Sequence, residues 1–316
     1  MELDWIATSL GAHSARRVER IQSLWGGYGE LVRVALDGGP VATAVVKWAR
    51  PPASDRDMVS SARKRRSFDV ETAFYRTVAP RRDDTCRVPV LLAARGGAAE
   101  GEWLLVLEDL DAAGYARRVE EAPAHLLDAA LHWLASFHAR FLGERFEALW
   151  PVGTYWHLAT RQDELDAIDD RELRAAAPVL DERLSSAQYQ TLLHGDPKDA
   201  NFCFSRDGRR VAAVDFQYTG RGCAMRDLAY LLYGRSDEPA DGIDHARLAT
   251  YFRSLRHALA ARGADIDADA LEAEWRALYP VARLDFCRFL AGWRPSLWRD
   301  DVRGQRFVRA WLAACT

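Results

Sequence analysis

What this sequence lacks narrows its class before any motif is read. Nowhere does it carry a run of about 18 uninterrupted apolar residues, the length that a membrane-spanning helix needs. Its first ten residues, MELDWIATSL, are acidic and offer no positive leader ahead of an apolar segment, so an unexported, cytoplasmic protein with no membrane partner is expected. Cysteine is scarce: Cys86, Cys203, Cys223, Cys287 and Cys315 are scattered without a Cys-x-x-Cys pair. That argues against a zinc frame or a disulfide scaffold and leaves reduced thiols as small buried filler. Neither sign of charge dominates, with 43 Lys and Arg against 46 Asp and Glu and a net charge of -3. Without a polybasic signature, nucleic acid is not an expected partner. Internal repeats and low-complexity segments are also missing.

What is present can fill a core. At 316 residues, 49% hydrophobic and 28% charged, the chain is long enough to divide into two lobes. The first third reads as mostly strand. Ile21 to Trp25 runs into Gly26-Gly27-Tyr28-Gly29 and out through Glu30 to Leu36: a strand, a glycine turn and a returning strand. Glycines there would let backbone N–H groups approach phosphate oxygens. The spacing is not G-x-G-x-x-G, so a plain hairpin turn stands beside the phosphate-loop reading. In VATAVVKW, Val41, Thr43, Val45 and Lys47 share one strand face. A lysine at the end of a strand reaching solvent is the plain reading of Lys47. After a polar connector, Arg50 to Ser61, the segment SARKRRSFDVETAFYRTVAP has helical period and closes at Pro80. Phe68, Phe74, Tyr75 and Val78 mark its apolar face, and Glu71 falls on that same face. A carboxylate placed there needs a partner, and Lys47 is the available cation. The run Arg63-Lys64-Arg65-Arg66 reads as a solvated face.

Cys86 to Ala94 and Glu102 to Leu107 read as two further strands around Gly96-Gly97, the second leading into Glu108-Asp109-Leu110. Beyond Leu110 strand alternation gives way to amphipathic stretches, which sets an N-terminal lobe, 1–110, against a C-terminal lobe, 111–316. The backbone of Glu108 to Leu110 would then be available to an adenine ring. His125 to Leu142 reads as a helix whose His138 is a core histidine satisfied by a backbone carbonyl. The acids Asp163, Glu164, Asp166, Asp169, Asp170 and Glu172 read as solvated helix surface or, alternatively, as an anionic wall for an amine-bearing substrate. In LLHGDPKDANFCFSRDGRRVAAVDFQ, Phe202 to Phe204 and Arg210 to Val214 are short strands joined across Asp207-Gly208, a dipeptide suited to a tight turn. Such a turn brings Asn201 and Asp215 to the same end. Two oxygen donors there suit a magnesium ion, which takes only one or two side chains from a protein. Asp196, on the entering loop, is placed to accept a proton from a hydroxyl. Further on, Arg226-Asp227-Leu228-Ala229-Tyr230 starts a helix whose Asp227 caps it or braces the loop. Ile243 to Thr316 is helical, and its many large aromatics read mainly as core.

Taken in order, Lys47 on its strand, Glu71 in FDVETAFYRTVAP, VLEDL, SFHA, HGDPKDAN, VDFQ and RDLAYLL resemble the aminoglycoside phosphotransferase and choline kinase superfamily of small-molecule kinases. The resemblance covers most of the chain. Its Glu-x-x-Phe-Tyr helix, its hinge Glu-Asp-Leu and Asp215-Phe216-Gln217 are most similar to the ecdysteroid-kinase-like branch. It implies an α+β, bilobal, protein-kinase-like fold with a small sheet-based N-terminal lobe, a larger mainly helical C-terminal lobe, and ATP and Mg2+ as cofactors. Carried over, it makes Asp196 the catalytic base, Asn201 and Asp215 the magnesium ligands, Lys47 the phosphate lysine and Glu71 its ion-pair partner. His194 would brace the loop. Gly26, Gly27, Gly29, Glu108 and Leu110 would belong to the nucleotide site. Lys198 stands where many protein kinases carry a lysine near the γ-phosphate, with charge stabilisation and a solvent-facing role both open.

Two departures from protein kinases bear on the acceptor. Gly195 stands where regulated protein kinases have an arginine that grips a phosphorylated loop, and barely ten residues separate Asp215 from the Arg226 helix. With no segment to bed a peptide, the expected acceptor is a hydroxyl on a small molecule. The aromatic C-terminal region leans this toward a hydrophobic or steroid-like alcohol. An antibiotic phosphotransferase of aminoglycoside or macrolide type and a non-catalytic nucleotide-binding pseudokinase scaffold are the alternatives.

Overall fold

In a computed structural model, residues 2–52, 59–239 and 241–315 are described. The chain opens with α1 (Leu3–Ser9), β1 (Ser14–Ser23), β2 (Gly29–Asp37), β3 (Thr43–Ala49), α2 (Val59–Ala73), β4 (Leu91–Gly97) and β5 (Glu102–Glu108). It continues through α3 (Ala124–Arg140), α4 (Gln162–Asp166), α5 (Arg171–Ser185), β6 (Thr191–Leu193), β7 (Phe202–Phe204), β8 (Val211–Ala213) and β9 (Gly220–Gly222). The last helices are α6 (Met225–Leu231), α7 (His245–Ala261), α8 (Ala268–Trp293), α9 (Pro295–Asp300) and α10 (Val302–Cys315). Two compact units emerge, Met1–Arg118 with Asn201–Gln217, and Val119–Ala200 with Tyr218–Thr316.

The first unit is built on an antiparallel sheet of order β1-β2-β3-β5-β4. Strand alternation sorts its side chains. Val32, Val34, Ala44, Val46, Leu104 and Val106 cover one face together with Ile6 from α1 and Leu10 just after it. Leu24, Tyr28, Ala49, Phe68 and Trp103 form a separate cluster with α2. β1 starts seven residues before the expected strand at Ile21, because SARRVERIQS is exposed along almost its whole length and has no buried face to write a period into the sequence. β4 likewise begins at Leu91 instead of Cys86, whose segment Asp84–Cys86 is a 3-10 turn. Of the connector Arg50 to Ser61, residues 53–58 lie outside the described residues. After α2 the backbone widens into a π turn, Phe74–Val78, before a 3-10 turn that contains Pro80. The wider turn lets Phe74 and Tyr75 both be buried against Phe216, with Phe74 stacked on it at 3.8 Å between ring centroids.

The second unit is mainly helical, with α3 on α7 and α8 against α5 and α6. Charge as well as apolar area holds it together. Arg226, fully buried, bonds Asp285 and Asp181 at 2.9 Å each, and Arg288 bonds Asp285 at 2.8 Å. Every member of this network has an opposite charge beside it, which is what burial of such groups demands. Burial alone would raise the Asp181 carboxyl, but the His157 hydrogen bond and the Arg226 guanidinium outweigh it and lower it from 3.8 to about 2. A depressed carboxyl contributes stability that is present above its unfolded value and lost as pH falls through the folded one. Urea melts of Asp181→Asn should therefore lose the part of the acid destabilisation that falls between pH 3.8 and about 2. An unchanged slope in that window would contradict the assignment. Cys86, Cys203, Cys223 and Cys287 are buried free thiols, and the side chain of Cys315 lies outside the described residues.

Candidate active site

The residues singled out by sequence fall into two groups, one in each unit. In the first unit, period-two geometry on β3 turns Lys47 away from the face that carries Ala44 and Val46. Its stem is buried and its ammonium does not end in solvent. Lys47 Nζ lies 2.7 Å from Glu71 Oε2 and 3.0 Å from Asp215 Oδ1, so one cation bridges the helix carboxylate and the hairpin carboxylate. Burial works against the lysine's charge, but Asp215 and Glu71 more than offset it and hold its pKa above the ordinary value. Glu71 is fully buried, and that burial raises its pKa despite the lysine.

Gln217 completes the arrangement around Glu71. Its amide Nε2 donates to Glu71 Oε2 at 3.4 Å, while its oxygen accepts from Lys64 Nζ at 3.0 Å and Ser67 Oγ at 3.3 Å. Lys64 also sits over the Phe68 ring, so it is not part of a merely solvated face as expected. Gln217 was visible in the sequence only as a family mark. Its sign was a glutamine, with both donor and acceptor, in place of a glycine after Asp215-Phe216.

The hairpin forms with Phe202 opposite Ala213 and Phe204 opposite Val211, closed through Gly208 N donating to Ser205 O. Gly208 takes the positive φ of 72° that the turn requires. Val214 N donates to Asn201 O at 3.0 Å, which puts the backbone of Asn201 and of the residue before Asp215 side by side. Asp215 itself has φ of 68°, a left-handed conformation rare for a residue with a side chain and common where a functional group must be aimed. An amide oxygen and a carboxylate at one end of a hairpin are hard oxygen donors of the kind magnesium accepts, so the donor set fits that ion.

The glycine turn is also where sequence placed it. Gly26 and Gly27 have φ of 68° and 75°, and Leu24 N donates to Gly29 O at 2.8 Å to close the loop. At Gly29 any Cβ would collide with the Trp48 carbonyl on the adjacent strand, so glycine there is a requirement of β2–β3 pairing itself. Glu108 is engaged by Arg87 at 2.6 Å and accepts from Val90 N. Leu110 is buried with Tyr115, Cys203 and Ala212, and its carbonyl accepts from Tyr115 N.

In the second unit, Asp196 sits on a loop held by helix α6. The Asp227 carboxylate accepts from His194 N at 2.7 Å and Gly195 N at 3.0 Å, so it braces the loop, one of the two roles expected for it. Asp227 also meets His138 Nε2 at 3.2 Å, and His138 Nδ1 meets the Tyr251 hydroxyl at 2.8 Å. The core histidine is thus satisfied by side chains and not by a carbonyl. His194 is buried, and its Nδ1 accepts from Asp196 N at 3.3 Å. Gly195, with φ of 85°, lies so close to the Tyr218 backbone that no Cβ fits; the arginine of regulated protein kinases is sterically impossible here. Lys198 Nζ is 3.0 Å from Asp196 Oδ2, with its side chain 46% exposed.

Sequence reading missed the aromatic surroundings of Asp196. Tyr155 N donates to Gly195 O at 3.1 Å, and the Tyr155 ring packs on Tyr218, Tyr230, Phe289 and Trp293 at 5.2 to 6.1 Å between centroids. Phe289 and Trp293 were visible only as members of the aromatic C-terminal region, read mainly as core, and Tyr230 only as lying one helical turn after Asp227; Tyr155 and Tyr218 carried no signal. The acids Asp163, Asp166, Asp169, Asp170 and Glu172 are exposed, with Asp170 capping α5, whereas Glu164 pairs with Arg161 at 2.8 Å.

Residues 21–264 match the phosphotransferase enzyme family. No curated protein matches the chain. Among solved structures, a putative aminoglycoside phosphotransferase from Ralstonia eutropha is similar over 97% of this chain and 93% of its own, with 15% identity and a TM-score of 0.53. The aminoglycoside phosphotransferase APH(4)-Ia, solved as a ternary complex with ADP and hygromycin B, is 13% identical, with 97% of each chain covered and a TM-score of 0.52. The amicoumacin kinase hAmiN in complex with AMP-PNP, Ca2+ and Ami is 14% identical over 93% of this chain and 87% of its own, with a TM-score of 0.53. At these identities the likeness is one of fold, and that fold is the bilobal, protein-kinase-like one.

Proposed function

We propose, because this chain belongs to the phosphotransferase enzyme family, that it transfers the γ-phosphoryl group of ATP to a hydroxyl of a small, apolar, ring-bearing molecule. The observation that carries this reading is Lys47 Nζ held between Glu71 at 2.7 Å and Asp215 at 3.0 Å. A fully buried carboxylate and lysine are costly unless paired, and a pair joined to Asp215 at the open end of the β7–β8 hairpin, where the oxygen donors lie, suits the gripping of a polyphosphate. In this reading Lys47 binds phosphate oxygens and Glu71 fixes its position, with Gln217 steadying Glu71. Asn201 and Asp215 hold Mg2+, which when bound neutralises phosphate charge. Asp196 takes the proton of the acceptor hydroxyl, and Lys198 holds its carboxylate. Gly26, Gly27 and Gly29 together with Glu108 and Leu110 border the nucleotide. Phosphoryl transfer asks for positioning and charge compensation, which these groups supply.

The acceptor class is argued from the surroundings of Asp196. Tyr218, Tyr230 and Trp293, partly buried against the core residues Tyr155 and Phe289, are the aromatic groups of that cluster that keep some exposure, whereas the acids from Asp163 to Glu172 are exposed, spent on a helix cap or paired. That supports an apolar alcohol over a polycationic antibiotic. Mixing the protein with Mg-ATP and a panel of steroid-like alcohols, aminoglycosides and small amino alcohols, with Asp196→Asn as the blank, measures ADP release for each class. Turnover confined to aminoglycosides would overturn the apolar reading, and release with none of the three would favour a pseudokinase scaffold.

A further inference from the structure

The glycine turn between β1 and β2 is anchored by its one large residue. Gly26 and Gly27 are exposed, whereas Tyr28 is only 6% exposed and turns inward. Its ring lies among Leu24, Ala49, Phe68 and Trp103, with its centroid 6.1 Å from that of Phe68, which in turn stands 5.3 Å from Trp103. The Tyr28 hydroxyl donates to Ser61 Oγ at 3.2 Å, and Ser61, in the first turn of α2, is buried as well. The Tyr28 carbonyl accepts from Arg50 N at 2.7 Å, just past the end of β3. One side chain thus ties the turn to α2, and its own backbone ties it to β3.

This anchor lies in the seam that also holds the ion pair. Lys47 and Ala49 are two apart on β3 and pair with Leu105 and Trp103 on β5, so Lys47 and the cluster around Tyr28 share one face of the sheet. On α2, Phe68 precedes Glu71 by one helical turn and lies on the same side. Trp103 Nε1 donates to Asp69 Oδ1 at 2.7 Å, which fastens α2 to that face. One helix and one sheet face therefore carry both the glycine turn and the Lys47–Glu71 contact of 2.7 Å. Two consecutive glycines would otherwise leave the turn free to move. Gly26 and Gly27 have left-handed φ of 68° and 75°, and glycine loses more conformational freedom on ordering than any other residue. A loose turn loses that freedom each time it closes on a ligand, whereas a turn held by a buried ring loses it on folding.

We propose that Tyr28 is a positioning residue for the polyphosphate of the nucleotide: its ring against Phe68 and its hydroxyl on Ser61 hold the Gly26–Gly27 backbone at a fixed spacing from Lys47. This deepens the proposed function and rests on the reading that the turn borders the nucleotide. A tyrosine that only filled the core would support adenosine and triphosphate binding alike. A tyrosine that sets the turn acts on the phosphates alone.

The test uses the full chain, with Mg-AMP-PNP binding read by calorimetry and adenosine binding by NMR titration, which reports weak affinities. Tyr28→Leu should weaken Mg-AMP-PNP binding by about tenfold, through the lost pre-organisation of the turn, and leave adenosine within about twofold of wild type. Tyr28→Phe and Ser61→Ala each remove one end of the same hydrogen bond. Each should weaken Mg-AMP-PNP by about threefold, and the double variant should go no further than either alone. A thermal melt verifies folding, and where Tyr28→Leu does not fold the two milder variants decide. Unchanged Mg-AMP-PNP affinity in the folded variants, or an equal loss for adenosine, would overturn the role of Tyr28 while wild-type binding keeps the nucleotide reading in place. If the wild-type chain binds neither ligand, the nucleotide reading itself falls, and the positioning role falls with it.

Discussion

Asp196→Asn is expected to cut phosphoryl transfer by about 10²–10⁴-fold while leaving the fold and nucleotide affinity close to wild type. The two side chains are nearly isosteric, and the amide oxygen can still accept from Lys198 Nζ, now 3.0 Å from Asp196 Oδ2. What disappears is the capacity to take a proton. The loop around the position is held by groups the substitution does not touch: Asp227 on the His194 and Gly195 N–H groups, and Gly195 O on Tyr155 N. Stability in urea should therefore change little, whereas steady-state turnover with any acceptor found active should collapse in kcat with the KM for ATP retained. A variant within about threefold of wild type would show that the acceptor proton leaves by another route.

Lys47→Met is expected to lose activity by about 10²–10³-fold and stability together, and the second loss should depend on pH. Removing one partner of a buried pair typically costs about 3–5 kcal/mol, because the remaining charge is left uncompensated. Here the remaining charge is Glu71, fully buried and already raised by that burial. Without Lys47 only Gln217, at 3.4 Å, still faces it among the described partners, so Glu71 will bind a proton more tightly in the folded than in the unfolded chain. A raised folded pKa on a carboxyl makes the fold lose stability as pH climbs from the unfolded value toward the folded one. Relative to wild type, Lys47→Met should be least destabilised in mild acid and most destabilised near neutrality, read from urea melts at several pH values. The double variant Lys47→Met/Glu71→Gln should recover most of the stability at neutral pH and none of the activity. A pH-independent loss would mean that Glu71 finds another cation.

The parts of this architecture that sequence disclosed are those where local chemistry and tertiary demand coincide. The β7–β8 hairpin was legible because Asp207-Gly208 can hardly do anything but turn, and the strands follow from it. Glu71 stood out because a carboxylate on the Phe68–Phe74–Tyr75 face is inconsistent with burial unless paired, and Lys47 was the pair. β1 and α1 were not legible in full, for opposite reasons. β1 is so exposed that alternation never develops, and α1 buries mainly Ile6 and Ala7 in a helix too short to show a period. The π turn at Phe74–Val78 was hidden because its cause is distant: Phe216, some 140 positions on, is the ring it opens to receive. Tyr155 illustrates the same limit at the site. Nothing within ten residues of it announces a contact with Gly195, next to Asp196, since that contact exists only once α6, α8 and the loop that carries Asp196 have been assembled.

The chain leaves its second unit after Ala200 and returns to it at Tyr218. A gene fragment ending at Arg118 would therefore encode the five-stranded sheet without the hairpin that completes its own unit. Such a fragment would strip Phe216 from Phe74 and Tyr75, uncover Leu110 and Tyr115, and leave Lys47 with Glu71 as its one remaining counter-charge of the two described. Attempts to express residues 2–118 alone should yield aggregates, whereas a circular permutant or a fusion that restores residues 201–217 through a designed linker should give a folded product.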